Sequence, residues 1–468
     1  MNERPAPDVR TAVVLGGSHS GMLAARALAG FADRVVVVDR DALPDGPDPR
    51  KGLPQARHAH MLWSGGARAI EELLPGVTEV LREAGARRLP VTTDMVALSA
   101  WGWFRRWPES HHVILAGRDL LDATIRARVL ADERIELVER AEAVGLTGTA
   151  SAVTGVRIRT RDGAERTLPA RLVVDATGRG SGTPRWLTAL GLPAPERREV
   201  DSGLAYASRL YLAPEHARDG FPVVNVQPDP RDGGPGRAGF LLPIENGRWI
   251  VTLSGTRGGE PTSAPEDFVP FAREKLRHPL IGQLIENADP LSAVYCTRAT
   301  VNRRFFYERM PAWPDNLVVL GDALAAFNPV YGHGLAVAAQ SALILRDMTR
   351  RHGPTAPGLA RRVQRALARP VGAAWDMAIG QDVFYPGATE SGPTVRERLV
   401  AAYVARLMHT ATGNGRIARR VTDVTSLERG AEVLLAPSVL LAAAIGPLKP
   451  ALSGPPLTTE ERKAAGLP

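Results

Sequence analysis

Three apolar, strand-like runs end in glycine-rich turns: Thr11 to Leu15 before GGSHSG, Arg171 to Thr177 before GRGSG, and Asn316 to Leu320 before GDALAAFNPVYGHG. Val and Leu runs without alternation suit parallel strands covered on both faces. The first run leads into the helical spacing of Met22 to Leu28 and then into Arg34 to Asp39 (RVVVVD), which makes a strand, turn, helix, strand unit. The third leads into a helix-like Leu335 to Asp347. Gly203 to Gly255 is patterned differently. There LAYASRLYL, FPVVNV, AGFLLPI and RWIVTL are separated by turn-rich segments such as QPDPRDGGPGR, and a mostly antiparallel sheet is predicted. Ala264 to Ala288 reads as helical, Leu291 to Phe306 as strand, and the chain from Gly353 onward as helical with Pro and Gly breaks.

These patterns predict an α/β fold. A Rossmann-like nucleotide-binding domain is assembled from residues 1–90, 116–200 and 301–350; an inserted, mainly antiparallel sheet takes a strand segment at 91–115 and the main sheet at 201–300; a helical region fills 351–468. With 44% hydrophobic and 23% charged residues, wholesale disorder is excluded. The single cysteine, Cys296, excludes an intrachain disulfide and a cysteine zinc cluster. The net charge of +8 comes from arginines scattered among acids, and clusters such as Arg361/Arg362/Arg365/Arg369 and Arg416/Arg419/Arg420 read as solvated helix faces. A nucleic-acid partner is not expected, since no basic stripe carries aromatic platforms. The most apolar stretch, Val433 to Ile445, is too short for a membrane span and carries Pro437. With no secretory signal pattern at the start, a soluble cytoplasmic protein is expected.

Gly16, Ser18 and Gly21 occupy the three glycine positions of the dinucleotide fingerprint GxGxxG. Gly16 allows the tight turn, Ser18 is a small stand-in where backbone approaches a pyrophosphate, and Gly21 allows close helix–strand packing. The following helix N-terminus offers free N–H groups to phosphates. Asp39, 18 residues after Gly21, ends the second strand where an acid accepts from a ribose diol, with Arg40 beside it. NAD and FAD both satisfy this arrangement. His58 and His60, two apart, would point to opposite faces of a strand, and no carboxylate or third histidine joins them at metal spacing, so no metal site is expected.

The third segment, with Asp322 directly after a strand and a Pro–Gly turn before a helix, resembles FAD monooxygenases of the para-hydroxybenzoate hydroxylase type, over about the first 350 residues. DATGRGS at 175–181 is similar to that superfamily's second strand-end motif, with its usual DG pair altered. RKGLPQARHAHMLWSGGARAIEELLPG and FNPVYGHG narrow the resemblance to the polyene epoxidases of polyether antibiotic biosynthesis, the monensin and lasalocid type; AYASRLY, LPIENGRWIVTLSGTRG and DVTSLE also fit. The resemblance implies a glutathione-reductase-like FAD domain, FAD as cofactor, reduction by NAD(P)H directly or through a separate flavin reductase, and epoxidation of a lipophilic polyketide polyene by O2 via a C4a-hydroperoxyflavin. It puts Asp322 on the ribityl side of FAD, Arg118 beside the phosphates, and the turn Asn328, Pro329, Gly332, Gly334 over the ring; Arg57 or His60 is a further candidate to touch the flavin, which spacing leaves open. The N–H groups of Gly332 to Gly334 would face the flavin's N1/O2 edge.

The substrate wall is expected to be apolar, from Trp101 and Trp103 together with Phe240, Leu242 and Trp249 of the inserted sheet. A flavin halogenase is the chemical rival. That family carries a WxWxIP motif and a lysine beside a chloride tunnel, whereas here Trp101-Gly102-Trp103 continues as FRRWP and Lys51 is the only lysine in the first 274 residues. A hydroxylase of another natural product, a double-bond reductase and a FAD-bound binding protein are the remaining alternatives.

Overall fold

Val35 to Val38 are all but sealed from solvent because their strand lies inside a five-stranded parallel sheet. The order is Leu317–Val319, Leu172–Asp175, Thr11–Leu15, Arg34–Val38 and Ile135–Val138. The three runs legible in the sequence are its adjacent members, and the register aligns Val13 with both Val173 and Val36. The structure, a computed structural model, describes residues 10–467. Helix His19–Leu28 packs between the sheet and helix Gly334–His352. A three-stranded antiparallel meander, Ala141–Gly148, Val153–Thr160 and Glu165–Pro169, packs against Leu172–Asp175 and contributes Val153, Val156 and Ile158 to the core.

The inserted sheet has seven strands, in the order Tyr295–Thr297, Ala205–Leu212, Arg248–Gly255, Arg237–Ile244, Val223–Val226, Met95–Ser99 and Gly102–Trp103. Every neighbouring pair is antiparallel except Val223–Val226 with Met95–Ser99. One face buries Leu241, Trp249, Val251 and Leu253 against Phe268, Leu280 and Ile281 in a second core. The opposite face turns toward the parallel-sheet domain with Leu242 and Ile250. Of the segment 91–115, His112–Leu115 does not join this sheet. It pairs with Met61–Trp63 and Arg87–Pro90 in a separate three-stranded sheet.

Beyond residue 353 come helices Leu359–Asp382, Val395–Gly413, Gly415–Thr425, Pro437–Ile445 and Thr459–Ala464. The middle three share a small core of Leu407, Ala411, Ile417, Ala418, Val439 and Ala443. Among the described residues no helix is long and apolar enough to cross a membrane.

Candidate functional site

The chain leaves strand Thr11–Leu15 at Gly16 with φ +97°, and a Cβ there would stand 2.5 Å from the Ala176 carbonyl oxygen. A Cβ on Gly21 would stand 1.7 Å from the Gly16 carbonyl oxygen, so helix and strand can close only over a glycine. Ser18 is the extended N-cap residue of the helix, and the Nη2 of Arg118 donates to its Oγ at 3.5 Å. Arg118 is itself buried and held by Asp122 one turn on, its Nε donating to Oδ1 at 2.7 Å. Asp39 accepts from the Gly17 N–H at 2.6 Å and from the Asp41 N–H at 2.8 Å. Arg50 also reaches it, bridging Asp39 and Asp41. Sequence reasoning missed Arg50 as a site residue because nothing in spacing pairs it with a strand end eleven positions earlier.

Two aspartates on adjacent strands behave oppositely. Asp175, fully buried, is saturated by Thr177 N–H and Oγ1, Ser181 Oγ and Thr183 Oγ1. These bonds shape the turn that sends Gly178 and Arg179 toward Asp322. Asp322 makes no hydrogen bond among the described residues; Arg179 Nε stands 4.0 Å from its Oδ2, and its side chain is 39% open. Surrounding protein raises the Asp322 pKa, with Arg179, Arg118 and Arg303 opposing. Arg179 is the second residue the sequence reading missed. Its guanidinium also donates to the Val301 and Phe327 carbonyls and so ties the strand-end turn to the chain entering the next one.

Asn328 opens that turn. Its side chain is used internally, accepting from Val330 N–H at 3.2 Å and donating to Asp382 Oδ2 at 2.8 Å. Asp382 also accepts from Asn302 Nδ2 at 2.7 Å and Tyr331 OH at 2.9 Å. Burial raises its pKa, and those hydrogen bonds pull the other way. Gly332 takes φ +68°, and Gly334 begins the 19-residue helix. A Cβ on Gly334 would meet nothing within 4 Å.

All these pieces meet in one cavity of about 710 Å³. Its lining runs from Asp39, Arg40 and Arg50 past Gly16, Ser18 and Arg118 to Asp322, Asn328, Pro329, Gly332 and Gly334. The volume lies in the range of cofactor pockets. The residues fit a dinucleotide on three grounds: a carboxylate with no hydrogen-bond donor among the described residues faces the cavity, open space stands over Gly334, and the start of helix His19–Leu28 lines it. Arg57 is not in the lining. It reaches the inserted sheet, donating to Tyr295 OH at 3.1 Å with its guanidinium over that ring.

A smaller cavity of about 30 Å³ shares Pro329 and Gly332 with the first and is walled by Phe240 and Leu242 of the inserted sheet. Trp249 is elsewhere. It is fully buried against Phe221 in the second core, because strand residues alternate faces and Trp249 lies on the face opposite Phe240 and Leu242. Trp103 is buried in that core too, edge-on to His278, and Trp101 lies under Arg231. The wall is mainly apolar, with a polar part. His58, Tyr206, Thr252 and Ser254 share it with Phe240, Leu242, Met61 and Val330. His58 Nδ1 lies 2.8 Å from Ser208 Oγ, which lies 2.6 Å from Thr252 Oγ1.

Four histidines around these cavities are held neutral by burial: His19, His58 and His333 with pKa near 4, and His60 near 3. Arg118 adds repulsion at His19 and His60. His333 turns away from the cavity, its Nε2 3.0 Å from the Thr425 carbonyl oxygen. Each folded value lies below the unfolded one, so on acidification the unfolded chain takes up protons first. Stability should be full above about pH 6.5 and fall steeply toward pH 4. Thermal melts across that range check this, and a level melting temperature from pH 7 to about 4.5 would contradict the buried neutral histidines.

The fold is that of FAD-dependent monooxygenases and halogenases. The chain superposes on PqsL of Pseudomonas aeruginosa, described as a probable FAD-dependent monooxygenase, with TM-score 0.61, 18% identity and coverage of 81% of this chain and 97% of that one. The flavin-dependent brominase Bmp2 gives TM-score 0.61 at 15% identity over 89% and 92% of the two chains. The myxobacterial chondrochloren halogenase CndH gives 0.60 at 16% over 90% and 97%. No family model matches. In sequence the chain is 30% identical over 403 residues to protein Rv3254 of Mycobacterium tuberculosis, covering 82% of each, and it belongs to the family of that protein.

Proposed function

We propose that this chain is a FAD-dependent monooxygenase that adds one oxygen atom of O2 across a carbon–carbon double bond of a lipophilic, polyene-type polyketide. FAD, when bound and reduced, supplies the activated oxygen. Alkene, O2, NAD(P)H and a proton give epoxide, water and NAD(P)+, with electrons delivered by NAD(P)H directly or through a flavin reductase. The observation that carries the reading is the junction of the two cavities at Pro329 and Gly332. On one side Asp39 takes the ribose, Arg118 and the Ser18 turn take the phosphates, and Asp322 takes a ribityl hydroxyl. On the other, Phe240 and Leu242 hold the alkene against the turn. The N–H groups at the start of helix Gly334–His352 would supply positive dipole to the negative charge of the reduced flavin. Lys51, the lysine a halogenase reading would need, is exposed and outside both linings.

Incubation with a panel of lipophilic polyenes, a generic flavin reductase and labelled O2 tests the reading by mass spectrometry. The expected product is heavier by one labelled oxygen and opens to a diol in acid. A chlorinated or saturated product overturns it. A second reading, hydroxylation of a substrate that already bears a hydroxyl, is favoured by the linked His58, Ser208 and Thr252 beside Tyr206. A neutral imidazole linked through Ser208 to Thr252 can orient such a group by hydrogen bonding, and a labelled phenol or alcohol from the same assay selects it.

A further inference from the structure

Of eleven large apolar side chains exposed to solvent among the described residues, nine fall between Val395 and Leu448. Four are on helix Val395–Gly413, among charged residues, and three on helix Pro437–Ile445, the segment too short to span a membrane, which carries no charged residue. Val439 and Ala443, one turn apart, face the small C-terminal core. Leu440, Leu441, Ala444 and Ile445 face outward over an arc of about 140°. Leu441 is 63% exposed, Ile445 64%, and Leu448 just beyond the helix 70%. An exposed patch of this kind marks an interaction site.

The helix is fixed in place. Arg406 donates to the Ala443 and Ala444 carbonyls, Tyr403 OH to the Leu434 carbonyl, and the Leu448 and Lys449 N–H groups to the Gly413 carbonyl. The apolar face is thus presented by a rigid mount.

The segment that carries this face has an excess of positive charge. Residues 395–450 hold eight Lys and Arg against four Asp and Glu. Each of those acids already faces a cation: Glu397 with Arg198, Asp423 with Arg420, Glu428 with Arg68, Glu432 with Arg369. Arg406, Arg416, Arg419 and Lys449 are exposed, and among the described residues none is in an ion pair, Lys449 lying over the Trp107 ring. A second copy meeting this face about a twofold axis would bring these cations toward their own images. An anionic lipid surface complements both features at once, the apolar arc entering the acyl boundary and the cations meeting headgroups.

We propose that helix Pro437–Ile445, with Leu448 and the Arg406 and Lys449 cations, is a peripheral anchor that docks the protein on an anionic bilayer. The inference is independent of the reaction assigned above. The test is flotation of the purified full chain with phosphatidylcholine vesicles, with and without about one-third phosphatidylglycerol, at low and high salt. The wild type should float with anionic vesicles only and be released by salt. Leu441→Glu/Ile445→Glu, both on the solvent side, should lose at least about tenfold in partitioning while keeping its melting temperature and flavin content. Three results would each overturn the proposal: no wild-type flotation, equal flotation of wild type and double variant, or binding to neutral vesicles as strong as to anionic ones. Light scattering run beside it covers the rival occupant. A wild-type dimer that the double variant dissociates, without vesicle binding, assigns the face to a second copy.

Discussion

Asp322→Ala should purify as a well-folded but colourless protein, and Asp175→Ala should melt well below the wild type. The two carboxylates end neighbouring strands of one sheet, yet the protein uses them in opposite ways. Asp175 is fully buried and takes four donors, from Thr177, Ser181 and Thr183. Removing it strands the buried Thr183 hydroxyl at about 1–3 kcal/mol and unties the Thr177 and Ser181 donors that hold the turn, a sizeable loss against a typical domain's stability of about 5–15 kcal/mol. Asp322 has no donor from the protein and opens onto the cavity 4.0 Å from Arg179. Deleting it costs the protein only the 4.0 Å ion pair with Arg179, whose guanidinium keeps its bonds to the Val301 and Phe327 carbonyls, so the melting temperature should hold within a few degrees. What disappears is the acceptor for a ligand hydroxyl. The ratio of flavin absorbance to protein absorbance after gel filtration reads this directly. Full flavin content in Asp322→Ala, with a cooperative melt, would take the aspartate out of the site.

The parallel sheet was legible because its strands are buried on both faces and so become unbroken Val and Leu runs. The meander from Ala141 to Pro169 was not, since its strands are largely half-exposed and Glu165–Pro169 has almost no apolar content to betray it. The cofactor turn could be read because glycine is demanded by geometry at Gly16 and Gly21. Arg50, Arg179 and Asp382 could not, because each acts on groups brought near only by folding; Asp382 reaches Asn328 from 54 positions away. The substrate wall shows a subtler limit. Phe240, Leu242 and Trp249 are all apolar residues of one sheet, and only the register decides which face each takes. Across the hairpin Phe240 opposes Thr252, and Leu242 opposes Ile250. Those pairs turn to the site, while Trp249, paired with Pro243, turns to the second core. The register of Ala205–Leu212 on the next strand brings Ser208 beside Thr252 and so supports the polar part of the wall that composition concealed.

Gly334→Val should keep the fold and lose at least about a hundredfold in product formation, whichever oxygenation the enzyme performs. The residue opens a long helix with ordinary backbone angles, so a branched side chain brings no backbone strain, and valine is a better helix former than glycine by a few tenths of a kcal/mol. Its Cβ would enter empty space, with no atom within 4 Å. That space is the cavity between the dinucleotide turn and Pro329, so the added methyls occupy ligand volume without displacing protein. Gly16→Val, in the same cavity, sharpens the comparison. There the backbone sits at φ +97° and the Cβ would strike the Ala176 carbonyl oxygen at 2.5 Å, so the protein should be insoluble. One glycine is therefore needed to build the site and the other to leave room in it. Melting curves separate the two cases, and turnover with labelled O2 reads the second. Wild-type product formation by a folded Gly334→Val would show that no ligand approaches this turn, and the reaction would have to be sought away from Pro329 and Gly332.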